Sequence, residues 1–495
     1  MNLGDSIRHG TKWLFTGNLS GQALQFAFGI VLARLLTPAD FGLLVTVQIF
    51  TGFVGMFASG GMGEALVQAK AVREEDFQTV FTFQLATGVL IYGGFYFVAP
   101  WFALWFHESI YESILRVTAL SFLLRPFANI PRIRLRREMR FKEIALITLA
   151  NLAIVSSLSI AMAASGFGVW SLVLSGLFGI PINIALLSRR SPWRPTLHYS
   201  RASAKALASY GFKEIAIDLV VYFRAQTSNL IVARLMGPVE VGLFNKGSTL
   251  AYIPTGIVSG STYQVVFRAL SKVQDNLDHS RYIYFRTVML VSLYTFPVYI
   301  VLAWVTESFV VGVYGRHWLG AVAPLRILCL AAPAFLLQLI SGALVAARNR
   351  LAEEIRLQLQ TWVLLIAFSL IGIQFGVIGV AWAVVLATYY IAIRLSLLAL
   401  ASIGSRPREL LRAFMPTLRL CGVELAALLI MNLLLSSMSA RLPLLLHCAV
   451  FSFTGFVAYA VMFLFFPDTH LVGEANRWRG KIGLGRLATS PQKDR

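Results

Sequence analysis

Read as apolar runs separated by polar breaks, the chain divides into fourteen segments. They cover 13–36, 41–66, 79–106, 113–131, 144–164, 167–187, 208–235, 242–266, 287–311, 322–346, 358–377, 379–400, 413–435 and 443–466. Each approaches or exceeds the roughly 20 apolar residues that a helix needs to cross a bilayer. The fourth is the least regular, because Arg116 and Arg125 interrupt it. The pattern predicts an all-α polytopic membrane protein with about fourteen transmembrane helices. The first run is too long for the apolar core of a signal peptide and has no small-residue cleavage site, so it is expected to be retained.

The breaks between segments alternate in charge. Thirty-two of the 43 Lys and Arg residues fall at the termini and in every second loop, against five in the intervening loops. Positive charge accumulates on the cytoplasmic side, so both termini are expected in the cytoplasm. The basic tail is then expected to lie on anionic lipid.

The sequence also repeats. Ala33, Arg34, Leu35, Pro38, Gly42 and Leu43 recur 200 residues later as Ala233, Arg234, Leu235, Pro238, Gly242 and Leu243. At an offset of 211, Arg137, Glu143, Ile144, Gly168 and Val169 recur as Arg348, Glu354, Ile355, Gly379 and Val380. Six helices per half give both halves the same orientation, as in transporters built from parallel repeats. The expected organisation is a six-helix bundle over 1–200 and a second over 201–400, forming a V-shaped pair. Two further helices over 401–470 and a basic tail over 471–495 lie outside the repeat. Rocking of the bundles would give alternating access. Part of the repeat has a local cause: Thr37-Pro38-Ala39-Asp40 reads as a helix start with a cap, Pro at the first position and an acid at the third.

Composition narrows the class. Hydrophobic residues make up 57% and charged residues 13%, with a net charge of +20. That excludes a soluble enzyme, a disulfide scaffold and a disordered chain. The positive charge belongs to membrane topology rather than to nucleic acid. Cys329, Cys421 and Cys448 lie in apolar stretches without metal spacing. No Walker A sequence or zinc motif is present, so no cofactor or metal and no enzymatic activity is expected. Transport would draw on an ion gradient or on removal of product.

Several stretches are similar to one family. Leu32–Gly42, Leu135–Lys142, Gly168–Val173, Ser228–Pro238 and Phe267–Asp275 resemble, in order, the polysaccharide-transport family of Wzx-type O-antigen and exopolysaccharide flippases, within the multidrug/oligosaccharidyl-lipid/polysaccharide exporter superfamily. The chain departs from it at Ser228, where many relatives carry an acid just before Asn229, and at Arg268, where many carry proline. The resemblance implies movement of a polyprenyl-diphosphate-linked oligosaccharide to the outer leaflet for lipopolysaccharide or exopolysaccharide synthesis. Its partners would be that lipid-linked oligosaccharide, membrane lipids and polysaccharide synthases or polymerases.

Such cargo requires cations or donors inside the bundle, where an unpaired charge costs at least roughly 2.5–3.5 kcal/mol. Arg224 lies 11 residues past Lys213, roughly 16 Å into a helix, and is the foremost candidate for the diphosphate. Its alternative is a structural arginine. Tyr222, Gln226 and Asn229 extend a polar stripe from Asp218, and Asn18, Gln22 and Gln25 form one in the first segment. Helix–helix bonding is the competing reading for both stripes. Lys246 could receive substrate late or snorkel outward. Arg34 and Arg234 could bind substrate or anchor at the interface. Asp218 and Glu64 are the candidates for ion coupling. The basic cluster Arg132–Lys142 would attract anionic carriers or simply fix topology. The alternative function is an ion-coupled multidrug or small-molecule antiporter on the same fold, which calls for interior carboxylates. A lipid II flippase, a membrane glycosyltransferase or polymerase, and a scaffold are further alternatives; the short outer loops disfavour the enzymes.

Overall fold

The computed structural model describes residues 3–484, apart from 60, 70 and 437–442. All regular structure among the described residues is helical. Each of the fourteen apolar segments coincides with a helix or with a helix pair broken by a short turn. The chain divides into two compact units, Met1–Leu243 and Phe244–Arg495.

In the first unit α1 (Leu3–Leu35), α2 (Pro38–Ser59), α3 (Met62–Gln68) and α4 (Glu74–Phe106) lead to a broken pair, α5 (Ile110–Ala119) and α6 (Ser121–Arg137). Then follow α7 (Phe141–Ala164), α8 (Val169–Arg190), α9 (Arg201–Met236) and the first turn of α10 (Pro238–Lys272). α1 packs along α7, and α7 along α8. α9 packs on α2, α3 and α4.

The second unit holds the rest of α10, then α11 (Leu277–Tyr314) and a second broken pair, α12 (Val322–Cys329) and α13 (Ala332–Ala347). α14 (Leu351–Gly372), α15 (Gly376–Ser402), α16 (Pro407–Leu434), α17 (Leu444–Phe465) and α18 (Val472–Lys481) complete it. α16 and α17 pack on each other and on α11.

By length and composition eight described helices can cross a membrane, and α12–α13, bent by 47°, makes a ninth. One of the eight is a 52-residue run, Leu351–Ser402, within which α14 and α15 pack along each other. Over the described residues alone the remaining segments do not pass that test. α6 carries Arg125 and a group of arginines at its end, and Leu19–Leu35 is an apolar stretch among the described residues of α1.

The 200-residue repeat marks a backbone crossing. The start of α2 and the start of α10 approach so closely that a β-carbon on Gly42 would overlap the carbonyl of Pro238, and one on Gly242 would overlap the carbonyl of Pro38. Only glycine permits that approach. Thr37 caps α2 as its sequence predicts. Its hydroxyl donates to Asp40 Oδ2 (2.7 Å) and accepts from the Asp40 amide (3.3 Å), and the Thr37 amide donates to Oδ2 (2.9 Å).

The 211-residue repeat marks two clamps. The Arg137 guanidinium donates to the carbonyls of Leu66, Val67 and Ala69 (2.9 Å for Ala69), where α3 ends. Arg348 donates to the Gln274 carbonyl, just past α10, and to Ser280 Oγ (3.1 Å). Carbonyls at a helix end lack intrahelical donors, and each arginine supplies them. Met139 and Asn349 then turn the chain with positive φ (55° and 57°) into α7 and α14.

Candidate substrate pathway

Among the described residues of the first unit, α6 carries a pronounced polar stripe. Arg125, Asn129, Arg132 and Arg136 follow at i, i+4, i+7 and i+11, so they share one side of the helix. Arg125 is exposed. Its guanidinium lies 4.9 Å from the centroid of the Phe122 ring, and its Nη1 lies beside Gly55 of α2. Asn129 Nδ2 donates to Gln84 Oε1 of α4 at 3.3 Å. Arg132 is half-buried. Arg136 ends the stripe in a two-point pair with Glu64 of α3, at 2.6 and 3.1 Å. Pro126 and Pro131 interrupt the backbone ladder of α6, which membrane helices tolerate when neighbours satisfy the freed groups. The stripe offers guanidinium groups in a row, with a carboxylate only at its end. Planar guanidinium forks suit phosphate oxygens.

The basic cluster of which these arginines form part is otherwise engaged in structure. Arg134 pairs with Glu74 at 3.3 Å, and Glu74 also accepts from Trp193 Nε1 at 2.7 Å. Arg137 clamps α3. Arg140 donates to Glu143 at 2.7 and 2.8 Å and to Glu138 at 2.8 Å. Hydrogen bonds to those two carboxylates, Glu143 first, hold its guanidinium above the ordinary arginine value. Topology alone does not account for the cluster: it ties α3, α4, α6 and α7 together.

The residues singled out by sequence fall as follows. Arg224 is half-buried on α9. Tyr222, two residues earlier, sits in the space left by Gly52 and donates its hydroxyl to the Ile49 carbonyl of α2 at 2.8 Å and to that of Gln48 at 3.2 Å. Gln226 accepts from Asn229 Nδ2 at 3.1 Å, so this part of the α9 stripe bonds to itself. Gln22 and Gln25 are exposed on α1. The side chains of Asn18 and Asp218 lie outside the described residues. Arg34 is exposed at the end of α1, and Arg234 lies 5.8 Å from the Trp105 ring centroid, a pairing that suits a membrane interface. Glu64 pairs with Arg136. In the second unit Lys246 is half-buried, with its ammonium 4.6 Å from the Tyr314 ring centroid and 4.9 Å from that of Trp318. Aromatic faces stabilise a cation there. The structure therefore joins Glu64 to the α6 stripe, Tyr222 to α2, and Gln226 to Asn229.

Two features escape the sequence reading. Arg125 registers there only as an interruption of an apolar run; its i+4, i+7 and i+11 partners are the signal that would have found it. Glu424 gives no such signal and emerges only from its surroundings.

Comparisons with known proteins agree on the fold and family. A family profile described as "Polysaccharide biosynthesis protein" matches residues 31–323. The lipopolysaccharide biosynthesis protein WzxC of Escherichia coli K12 is 23% identical over 390 residues, covering 77% of this chain and 78% of that one. The succinoglycan biosynthesis transport protein ExoT of Rhizobium meliloti is 20% identical over 325 residues, covering 66% of each. Among solved structures, the lipid II flippase MurJ in an inward closed conformation superposes with a TM-score of 0.73 at 15% identity, covering 91% of this chain and 98% of that one. An inward-facing multidrug resistance MATE transporter gives 0.60 at 15% identity, covering 78% and 94%. These likenesses establish the fold of the multidrug/oligosaccharidyl-lipid/polysaccharide exporter superfamily. The protein is a transporter rather than an enzyme, a multi-pass membrane protein that belongs to the Wzx-type polysaccharide biosynthesis family.

Proposed function

We propose that the protein flips a polyprenyl-diphosphate-linked oligosaccharide across the inner membrane by alternating access. The observation that carries this reading is the α6 stripe, with Arg125 exposed on an aromatic face and Arg132 and Arg136 following on the same side. A diphosphate leaving water needs replacement donors, and guanidinium groups in line can hand it from one to the next. Interior cations also argue against a carrier of cationic drugs, which requires carboxylates in the same place. Arg224 on α9 is a second diphosphate ligand in this reading. Tyr222, Gln226 and Asn229 support it by fixing α9 against α2 and holding its own polar face.

All fourteen segments cross the membrane in this proposal, with both termini in the cytoplasm. The charged helices α6 and α9 face protein or water rather than lipid. The test is flipping by purified protein in liposomes, using a fluorescent polyprenyl-diphosphate oligosaccharide and a leaflet-selective quencher. Arg125→Ala is expected to slow flipping roughly ten- to hundredfold, the worth of a charge-assisted hydrogen bond. Flipping by the variant at the wild-type rate would remove Arg125 from the pathway. Absence of flipping by the wild type under every ion gradient would overturn the function.

A further inference from the structure

Glu424 lies on α16, one of the helices that follow the repeat. It is fully buried, at 0% exposure, and neither carboxyl oxygen has a hydrogen-bond partner. Its slot is made by an absence: a β-carbon on Gly455, midway along α17, would lie 3.5 Å from Glu424 Oε1, 2.8 Å from Val301 Cγ2 of α11 and 3.4 Å from Leu428 Cδ2. The titratable groups near it are Cys421, one turn earlier on α16, and Tyr459 from α17. The Tyr459 hydroxyl donates to the Leu293 carbonyl of α11 at 2.7 Å. α11 faces the carboxyl with Val301. Among the described residues no Lys, Arg or His pairs with Glu424.

A carboxylate cannot keep its charge in such a place. Without a partner it takes up a proton instead. A permanently neutral, unbonded acid adds nothing to packing that an apolar side chain of similar volume would not supply better. Its cost is offset only if the group is used in another state, and ionisable groups at membrane depth are by default functional. We propose that Glu424 is an exchangeable proton site. The carboxylic acid persists while α16 and α17 lie closed on α11. When the three helices part and admit water, the O–H bond breaks, the proton passes to water and a solvated carboxylate remains. Reclosure requires a proton to return. Closure of the added helices is thereby tied to proton uptake. Its place in a transport cycle rests on the flippase reading above; the switch itself is a property of three helices.

Cys421 shares a face with Glu424 and is itself buried, so it reports the opening. Full-length protein in lipid nanodiscs is alkylated with N-ethylmaleimide in acidic through alkaline buffers, and labelling at each cysteine is read by mass spectrometry. Cys421 labelling is expected to rise with pH several-fold more in the wild type than in Glu424→Gln, which cannot ionise. Cys329, buried on α12, should rise equally in both and so corrects for thiol ionisation. Superimposable Cys421 profiles overturn the proposal. Infrared spectroscopy supplies a second check: a deuterium-sensitive protonated-carboxyl band that is lost in alkali should appear in the wild-type spectrum minus that of Glu424→Gln, and its absence from that difference also overturns the proposal. A labelling contrast in a protein that flips no lipid-linked glycan would leave the proton site standing and remove the flippase reading.

Discussion

α6 and α13 occupy the same place in the two halves of the repeat. The first begins at Ser121 and the second at Ala332, 211 residues later, and each follows a break from a shorter helix. Their corresponding faces have opposite chemistry. Where α6 carries Arg125, Asn129, Arg132 and Arg136, α13 carries Leu336, Ile340, Ala343 and Ala347. All four of the latter are buried in one apolar cluster with residues of α10 and α11. The two share the frame, the break and the arginine clamp at the end, while the corresponding face is a polar stripe in α6 and core in α13. Symmetry of backbone is thus no guide to symmetry of function: in the proposed mechanism, cargo charge is handled by the first copy, and α13 holds its unit together.

A reciprocal exchange would break this contrast most sharply. Leu336→Arg is expected to yield no folded protein, because an unpaired buried charge costs several kcal/mol, read as loss of a monodisperse peak in detergent. Arg125→Leu should fold normally and lose flipping roughly ten- to hundredfold. If both variants fold and both retain transport, the two faces are not functionally distinct.

The clamps sharpen the comparison from the other side, because there the two copies agree. Arg137→Ala should lower stability by about 1.5–3 kcal/mol, seen as a lower melting temperature. Arg348→Ala, which gives up fewer carbonyl contacts, should cost less. Transport by whatever folded fraction remains should be unchanged in both.

Gly42→Ala tests the crossing itself. Its added carbon meets backbone rather than a side chain that can turn away, so a cost of about 1–3 kcal/mol is expected from overpacking, again by thermal unfolding. The smallest effect belongs to Tyr222→Phe, which removes the hydroxyl donor to α2 and should cost about 0.5–1.5 kcal/mol. Flipping by Tyr222→Phe at the wild-type rate would assign Tyr222 to packing; a large loss with unchanged stability would return it to the substrate path.

The helical framework was legible because each run of apolar residues is long and bounded by charge. The helix start at Thr37–Asp40 was legible because capping is local chemistry. The repeat was legible too, but its reason was not: Pro38 and Asp40 look like turn residues, and only the structure shows that Gly42 meets the carbonyl of Pro238 and Gly242 that of Pro38. Site residues were harder to read, because depth along a helix does not say which way a side chain faces. Tyr222 and Asn229 belong to the stripe read from the sequence, yet their donors are spent within the first unit. Glu424 is the one acid in its apolar segment, and its meaning comes from Gly455 and Val301, which no local pattern connects to it.

The glycine crossing also constrains how such a protein can change over time. At most packed contacts a larger side chain on one helix is accommodated by a smaller one on its neighbour, and lineages wander through such paired replacements. Here neither partner has a side chain to shrink, since each glycine abuts the proline carbonyl of the other helix. A substitution at Gly42 has no compensating substitution at position 242. The junction is therefore expected to stay fixed while the helices on either side diverge, as α6 and α13 have done.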